Sequence, residues 1–189
     1  MIRPWRLIAS EPVCDTGLFR VSKDRARSPR TGGEHDFYLV GMADWLMTVA
    51  LTTDGKLVLV RQYRHGSRET SLEVPGGLHD GAGERPEQGA ARELAEETGY
   101  GGGEYLRLGE LRPQPALLSN RVRIFFAKDV RQIAAPEPDA GEDIEVLLID
   151  PHEVPARIAS GEMNNAMTVA ALALACFAGH IGVTSRQQA

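Results

Sequence analysis

Cysteine is nearly absent: the 189 residues hold only Cys14 and Cys176. Two cysteines so far apart give neither a disulfide framework nor the spacing of a metal site. Cys176 lies in an apolar helical stretch and reads as a core residue. There is no surplus of positive charge. The formal net charge is −5, which argues against general nucleic-acid binding, because that requires a basic surface. No secretory signal is visible, since Arg3, Pro4, Arg6, Glu11 and Pro12 interrupt Ile2 to Val13. The most apolar run, Ala166 to Val183, is Ala-rich and carries Thr168 and His180. It suits a packed helix better than a membrane span. His35, His65, His79, His152 and His180 are scattered, so no Ser-His-Asp or Cys-His arrangement stands out. The expectation is a cytoplasmic protein with no nucleic-acid or membrane partner, built as one domain with a sizeable core and a small appendage.

One further absence is local. From Glu93 to Tyr100 there is no Lys or Arg, although Glu93, Glu96 and Glu97 fall close together. The stretch from Gly76 to Tyr100 runs from a glycine-rich loop into a segment with helical periodicity. Pro86 suits a first helical turn and Gly99 the position just past the end, which predicts a helix over 86–98. Ala90, Ala91, Leu94 and Ala95 then form a core-facing stripe. Arg92, Glu93, Glu96 and Glu97 take the other face. Like charges four residues apart destabilise an isolated helix by roughly 0.2–0.5 kcal/mol. Carboxylates near a helix C-terminus are unfavourable as well. Only Arg92, at i,i+4 to Glu96, offers compensation within the helix. A bare acidic run is usually a solvated face. A hard dication would be the alternative, since magnesium is held by one or two carboxylates plus substrate phosphates.

The surrounding residues favour the second reading. The run Glu84, seven residues, then Arg92-Glu93-Leu94-Ala95-Glu96-Glu97-Thr98-Gly99-Tyr100 resembles the Nudix box of the nucleoside-diphosphate-linked-moiety hydrolases. Two positions depart from the family pattern. The loop between Gly77 and Glu84 holds six residues where the family has five, and Tyr100 stands where an aliphatic residue is usual. The resemblance extends from about Met47 to Gly182. It implies an α+β fold, an α/β/α sandwich with a mixed central sheet. It also implies that Glu93, Glu97 and Glu96 hold Mg2+, with Mn2+ a possible substitute, joined by a backbone carbonyl of Gly76 or Gly77. The extra loop residue leaves both glycines open.

Before the box, Arg6 to Val13, Gly17 to Ser22 and His35 to Val40 read as strands, with Lys23 to Gly33 a polar turn or loop. They predict a small N-terminal antiparallel sheet over 1–42, ahead of a catalytic domain over 43–189. Such a sheet is marginal alone. In ADP-ribose-hydrolysing relatives a segment of this kind builds a homodimer, which is the expectation here. Trp45 to Thr52 and Lys56 to Arg64 form a hairpin about Asp54-Gly55. Alternation puts Val58, Val60, Gln62 and Arg64 on one face and Leu57, Leu59, Arg61 and Tyr63 on the other. The Arg61-Gln62-Tyr63-Arg64 run is similar to that of ADP-ribose pyrophosphatases, which implies substrate contact by Arg64, with Arg61 second. Glu73, before Pro75-Gly76-Gly77, reads as a structural partner, with Arg92 the candidate.

After the box, Gly101 to Gly103 suggests a flexible exit, followed by strands over Glu104 to Arg112, Arg121 to Val130 and Ile144 to Ile149. Pro115, fifteen residues past Tyr100, occupies the offset of a substrate-side proline in the same relatives. The acidic loop Arg131 to Asp143 carries Glu142-Asp143-Ile144, a context that implies Glu142 as the base activating water, with Glu137 as its rival. Glu96 and Arg92 stand with Glu142 in the expected catalytic set. Asn164 or Asn165 caps a final helix running to about Gly179. The implied reaction is Mg2+-dependent hydrolysis of the diphosphate of ADP-ribose or a nucleoside diphosphate sugar. The alternatives are clean-up of nucleoside triphosphates or dinucleoside polyphosphates, and a non-catalytic nucleotide sensor.

Overall fold

Apolar alternation in the middle of the chain builds the sheet that positions everything else. The computed structural model describes residues 1–81, 83–139 and 141–183. The strands are β1 (Arg6–Asp15), β2 (Phe19–Arg27), β3 (Glu34–Met42), β4 (Trp45–Thr52), β5 (Leu57–Arg64), β6 (Glu69–Glu73), β7 (Tyr100–Gly101), β8 (Glu104–Leu111), β9 (Val122–Gln132) and β10 (Ile144–Ile149). The helices are α1 (Pro86–Thr98), α2 (Val154–Ala159) and α3 (Ala166–Phe177).

The chain divides into two compact units, Met1–Asp44 with Arg112–Arg121, and Trp45–Leu111 with Val122–Ala189. The first is an antiparallel sheet in the order β1-β2-β3. All ten residues of β1 are exposed. Within this unit, segment 112–121 docks on β3 through Val40 N–H to Leu117 O and Ser119 N–H to Val40 O. The expected loop over 23–33 is partly a strand, because β2 continues to Arg27. Polarity suggested a loop, but the register supplies partners across the strand. Lys23 and Arg25 both reach Asp36, at 3.0 and 2.9 Å, and Arg27 reaches Glu34 at 2.6 Å. Opposite charges across a strand pair are favourable.

The second unit holds a seven-stranded sheet along β10-β5-β4-β9-β7, with β6 on β5 and β8 on β9. β4 and β9 are parallel and the other pairs antiparallel, so the sheet is mixed. Period-2 alternation separates its faces. Met47, Val49, Leu57, Leu59, Ile124 and Phe126 pack with Ala171, Leu172 and Ala175 of α3. On the other face Ala50, Val58 and Ala127 meet Leu94, while Leu46 and Phe125 meet Ala90, both residues of α1. This is the expected α+β fold, helices flanking a mixed sheet. The expected exit at 101–103 begins instead as β7, which pairs Tyr100 with Gln132 and Gly101 with Arg131. That pairing also carries β9 two residues beyond its predicted end.

Candidate active site

The segment 75–78 explains how the acidic helix is placed. It pairs with the start of β4: Leu46 N–H donates to Gly77 O, Gly77 N–H to Leu46 O, and Thr48 N–H to Pro75 O. A side chain does not fit at Gly76, and one at Gly77 would displace a carboxyl group. A Cβ on Gly76 would overlap the Leu46 carbonyl, and one on Gly77 would overlap the Glu93 carboxyl group. Glycine allows this close approach, and the glycine pair therefore sits directly against α1. Pro86 lies in the first turn of α1, and Gly99 ends it at φ 73°, donating its N–H to Ala95 O. A residue with a Cβ rarely adopts that conformation.

Two carboxylates are buried among the described residues, Glu73 and Glu97, at 1% and 2% exposure. Glu97 Oε2 accepts from Gly76 N–H at 2.9 Å. Burial pushes its pKa up to about 8, and the nearby charges of Glu142 and Glu93 act in the same direction. The Gly76 hydrogen bond and Arg64 oppose the rise. Glu93 is raised too, chiefly by burial, with Arg92 opposing. The α1 face is thus short of positive charge at its inner edge.

Arg92 supplies what compensation there is. Its guanidinium reaches Glu84 at 2.9 Å, Glu93 at 3.0 Å and Glu96 at 2.8 Å, and also Asp80 at 3.4 Å and Leu78 O at 3.3 Å. The Arg92 hydrogen bond is the main cause of a lowered Glu84 pKa. One cation cannot neutralise four carboxylates, and none of these contacts touches Glu97.

The acidic loop is anchored to the same helix. Glu137 N–H donates to Glu96 O at 2.8 Å, satisfying a carbonyl of the last turn. Ile133 and Ala134 N–H both bond to Gly99 O. Farther along, Glu142 N–H bonds Asp139 O at 2.8 Å and Asp139 N–H bonds Glu142 Oε2 at 3.2 Å. Glu142 remains exposed, and its charge is felt by Glu93, Glu97 and Arg64 alike.

The pattern that defines the NUDIX domain matches residues 46–168. The chain belongs to the Nudix family. It is 32% identical over 164 residues to an ADP-ribose pyrophosphatase of Mycobacterium tuberculosis (strain ATCC 25618 / H37Rv), covering 86% of this chain and 79% of that one. It is 30% identical over 125 residues to an ADP-ribose pyrophosphatase of Bacillus subtilis (strain 168), covering 66% and 67%. A crystal structure of an ADP compounds hydrolase matches with a TM-score of 0.83 at 24% identity, over 96% of this chain and 99% of that chain. That last likeness speaks for the fold. Family and relatives together make this chain a Nudix hydrolase.

In this Nudix enzyme Glu93, Glu96, Glu97, Arg92, Gly76 and Gly77 are gathered on α1 and the segment before it. Glu142 is brought toward them by its loop. Arg64, at the end of β5, lies on the α1 side of the sheet and binds Glu73 through two hydrogen bonds, of 3.0 and 2.8 Å. Arg61 points to the other face, shared between Glu145 and Glu162 at 2.6 Å each. Pro115 belongs to the first unit, exposed in the turn that Gln114 O closes with Leu117 and Leu118 N–H. Glu73, expected beside Arg92, pairs instead with Arg64 and Asn165. Strand alternation carries the reason: Glu73 stands opposite Val60, on the face that Arg64 shares.

Among the described residues no group of three or more His, Cys, Asp or Glu side chains is arranged to hold a metal ion unaided. The donors that remain are Glu97, Glu93 and a glycine carbonyl. Gly77 O is engaged by Leu46 N–H, which leaves Gly76 O the better candidate. Magnesium commonly takes one or two carboxylates, with water and substrate phosphates completing its shell, so this donor set fits a dication. A nearby cation would also reverse the charge deficit that raises Glu97 and Glu93.

Proposed function

We propose that this Nudix hydrolase cleaves the diphosphate bond of ADP-ribose or a related nucleoside diphosphate sugar, with Mg2+ as its cofactor. The products would be a nucleoside monophosphate and a sugar phosphate. The observation that carries the reading is a buried Glu97 carboxylate beside Glu93 and the Gly76–Gly77 backbone, with too few cations to balance it. The names of the two pyrophosphatase relatives support the substrate class. A bound dication supplies charge neutralisation for the diphosphate and the departing phosphate. Glu97, Glu93 and Gly76 O are its proposed ligands, and Glu96 flanks them. Arg92 holds Glu93 and Glu96 in place. Arg64 offers a planar guanidinium suited to phosphate or a stacked nucleobase. Glu142, on the loop tied to α1 through Glu137 N–H, accepts a proton from the attacking water.

The N-terminal sheet is proposed as a self-association surface, because β1 is exposed throughout and carries Leu7, Ile8 and Val13 at 57%, 42% and 56% exposure. Sedimentation should then give twice the chain mass; a monomer at micromolar concentration would refute this.

The test of function is a panel assay with Mg2+ or Mn2+ over ADP-ribose, GDP-mannose, UDP-glucose, dinucleoside polyphosphates and nucleoside triphosphates. Nucleoside diphosphate sugars, ADP-ribose among them, should give the highest kcat/KM. Preference for nucleoside triphosphates or dinucleoside polyphosphates would replace the reading with a clean-up role.

A further inference from the structure

Glu73 needs more partners than Arg64 alone provides. It is almost wholly buried, and a buried carboxylate is costly unless each oxygen is well bonded. Oε1 accepts from Arg64 Nε at 3.0 Å and Oε2 from Arg64 Nη2 at 2.8 Å. The third donor is Asn165 Nδ2, at 2.7 Å to Oε2, the shortest of the three. The same Asn165 side chain caps α3, its Oδ1 accepting from Met167 N–H at 2.8 Å and Thr168 N–H at 3.2 Å. A second tie joins the same two elements, Val74 N–H to Thr168 Oγ1 at 3.3 Å. One amide therefore locks the start of α3 to the end of β6, and through Glu73 to the guanidinium at the end of β5.

We infer that Asn165 is a positioning residue, acting through Glu73 to fix the orientation of the Arg64 guanidinium on the substrate side of the sheet. This rests on the proposed substrate role of Arg64. The amide is the group this task requires. Asp or Ser would cap the helix about as well as Asn. Ser has no amide N–H placed to reach Glu73, and Asp would set a second carboxylate against it. Capping alone therefore does not call for Asn, whereas capping together with donation to a carboxylate does.

The test separates capping from positioning. Asn165→Ser keeps a cap and removes the donor. KM for the preferred diphosphate should rise about tenfold or more, the scale of one lost hydrogen bond to a charged group, with a smaller change in kcat. Asn165→Asp should raise KM further. In an Arg64→Lys background, Asn165→Ser should add little. An effect of the same size in that background would mean that Asn165 does not act through Arg64, and would overturn the inference.

A second readout needs no turnover. In the free protein, the Arg64 Nε–H resonance, assigned by its loss in Arg64→Lys, should exchange with water slowly and lose protection in Asn165→Ser. An unaltered Arg64 signal in a folded Asn165→Ser protein would sink the idea. If the wild-type chain hydrolyses none of the panel, the functional reading fails, while this exchange measurement still decides the positioning claim.

Discussion

Glu97→Gln is expected to lower turnover by on the order of a thousandfold or more, because it removes a charged ligand of the proposed dication, and yet to leave the fold intact. Gln keeps the shape and can still accept from Gly76 N–H, which Glu97 binds at 2.9 Å. The stability effect has a definite sign. The Glu97 carboxyl has a folded pKa near 8 against an ordinary value of 4.5. As pH rises the unfolded chain releases this proton first, so the metal-free protein loses stability from about pH 4.5 until the folded form also ionises near pH 8. Gln has nothing to ionise. With chelator present, Glu97→Gln should therefore melt close to the wild type at pH 4 and clearly above it at pH 8.5. Dication should raise the wild-type Tm far more than that of the variant. A variant that melts below the wild type at pH 8.5 would contradict the raised Glu97 pKa, and one that turns over normally with Mg2+ would remove Glu97 from the ligand set.

The second large effect belongs to Glu142. Glu142→Gln should lower kcat by roughly a hundred- to ten-thousandfold, the usual contribution of a positioned general base, with KM changing much less. The side chain is exposed, so the substitution should be neutral for stability. Steady-state kinetics at saturating dication give the answer. An undiminished kcat would move the base elsewhere on the loop, with Glu137 next to be replaced. Glu137 has its backbone fixed to Glu96 O, so its replacement leaves that anchor in place.

How much of this could be read from the chain depended on whether the forces were local. The bounds of α1 were legible because Pro86, Gly99 and the Ala90–Leu94 stripe are all within one helix. The β4–β5 hairpin was legible because Asp54-Gly55 separates two apolar runs, and Gly55 does adopt φ 80°. The full length of β2 is not legible, because Lys23, Arg25 and Arg27 look like loop residues until Asp36 and Glu34 lie across from them. The partner of Glu73 depended on the register of β6 against β5, which no local pattern declares. Asn164 and Asn165 were both legible as helix caps from their position before an Ala-rich run, and Asn165 takes the role. Its amide's bond to Glu73, 92 positions away, had no sequence signal. Local rules thus located the acidic helix, while the supports that orient Arg64 and Glu142 arise only when distant strands and loops meet.

The inner edge of α1, with the glycine segment beside it, is proposed as a cation site. Substoichiometric Mn2+ in an amide NMR spectrum of the wild-type protein tests it most directly. The Gly76, Gly77, Glu93 and Glu97 amide signals should broaden first, and the broadening should weaken greatly in Glu97→Gln. Broadening centred elsewhere, or unchanged in the variant, would contradict it.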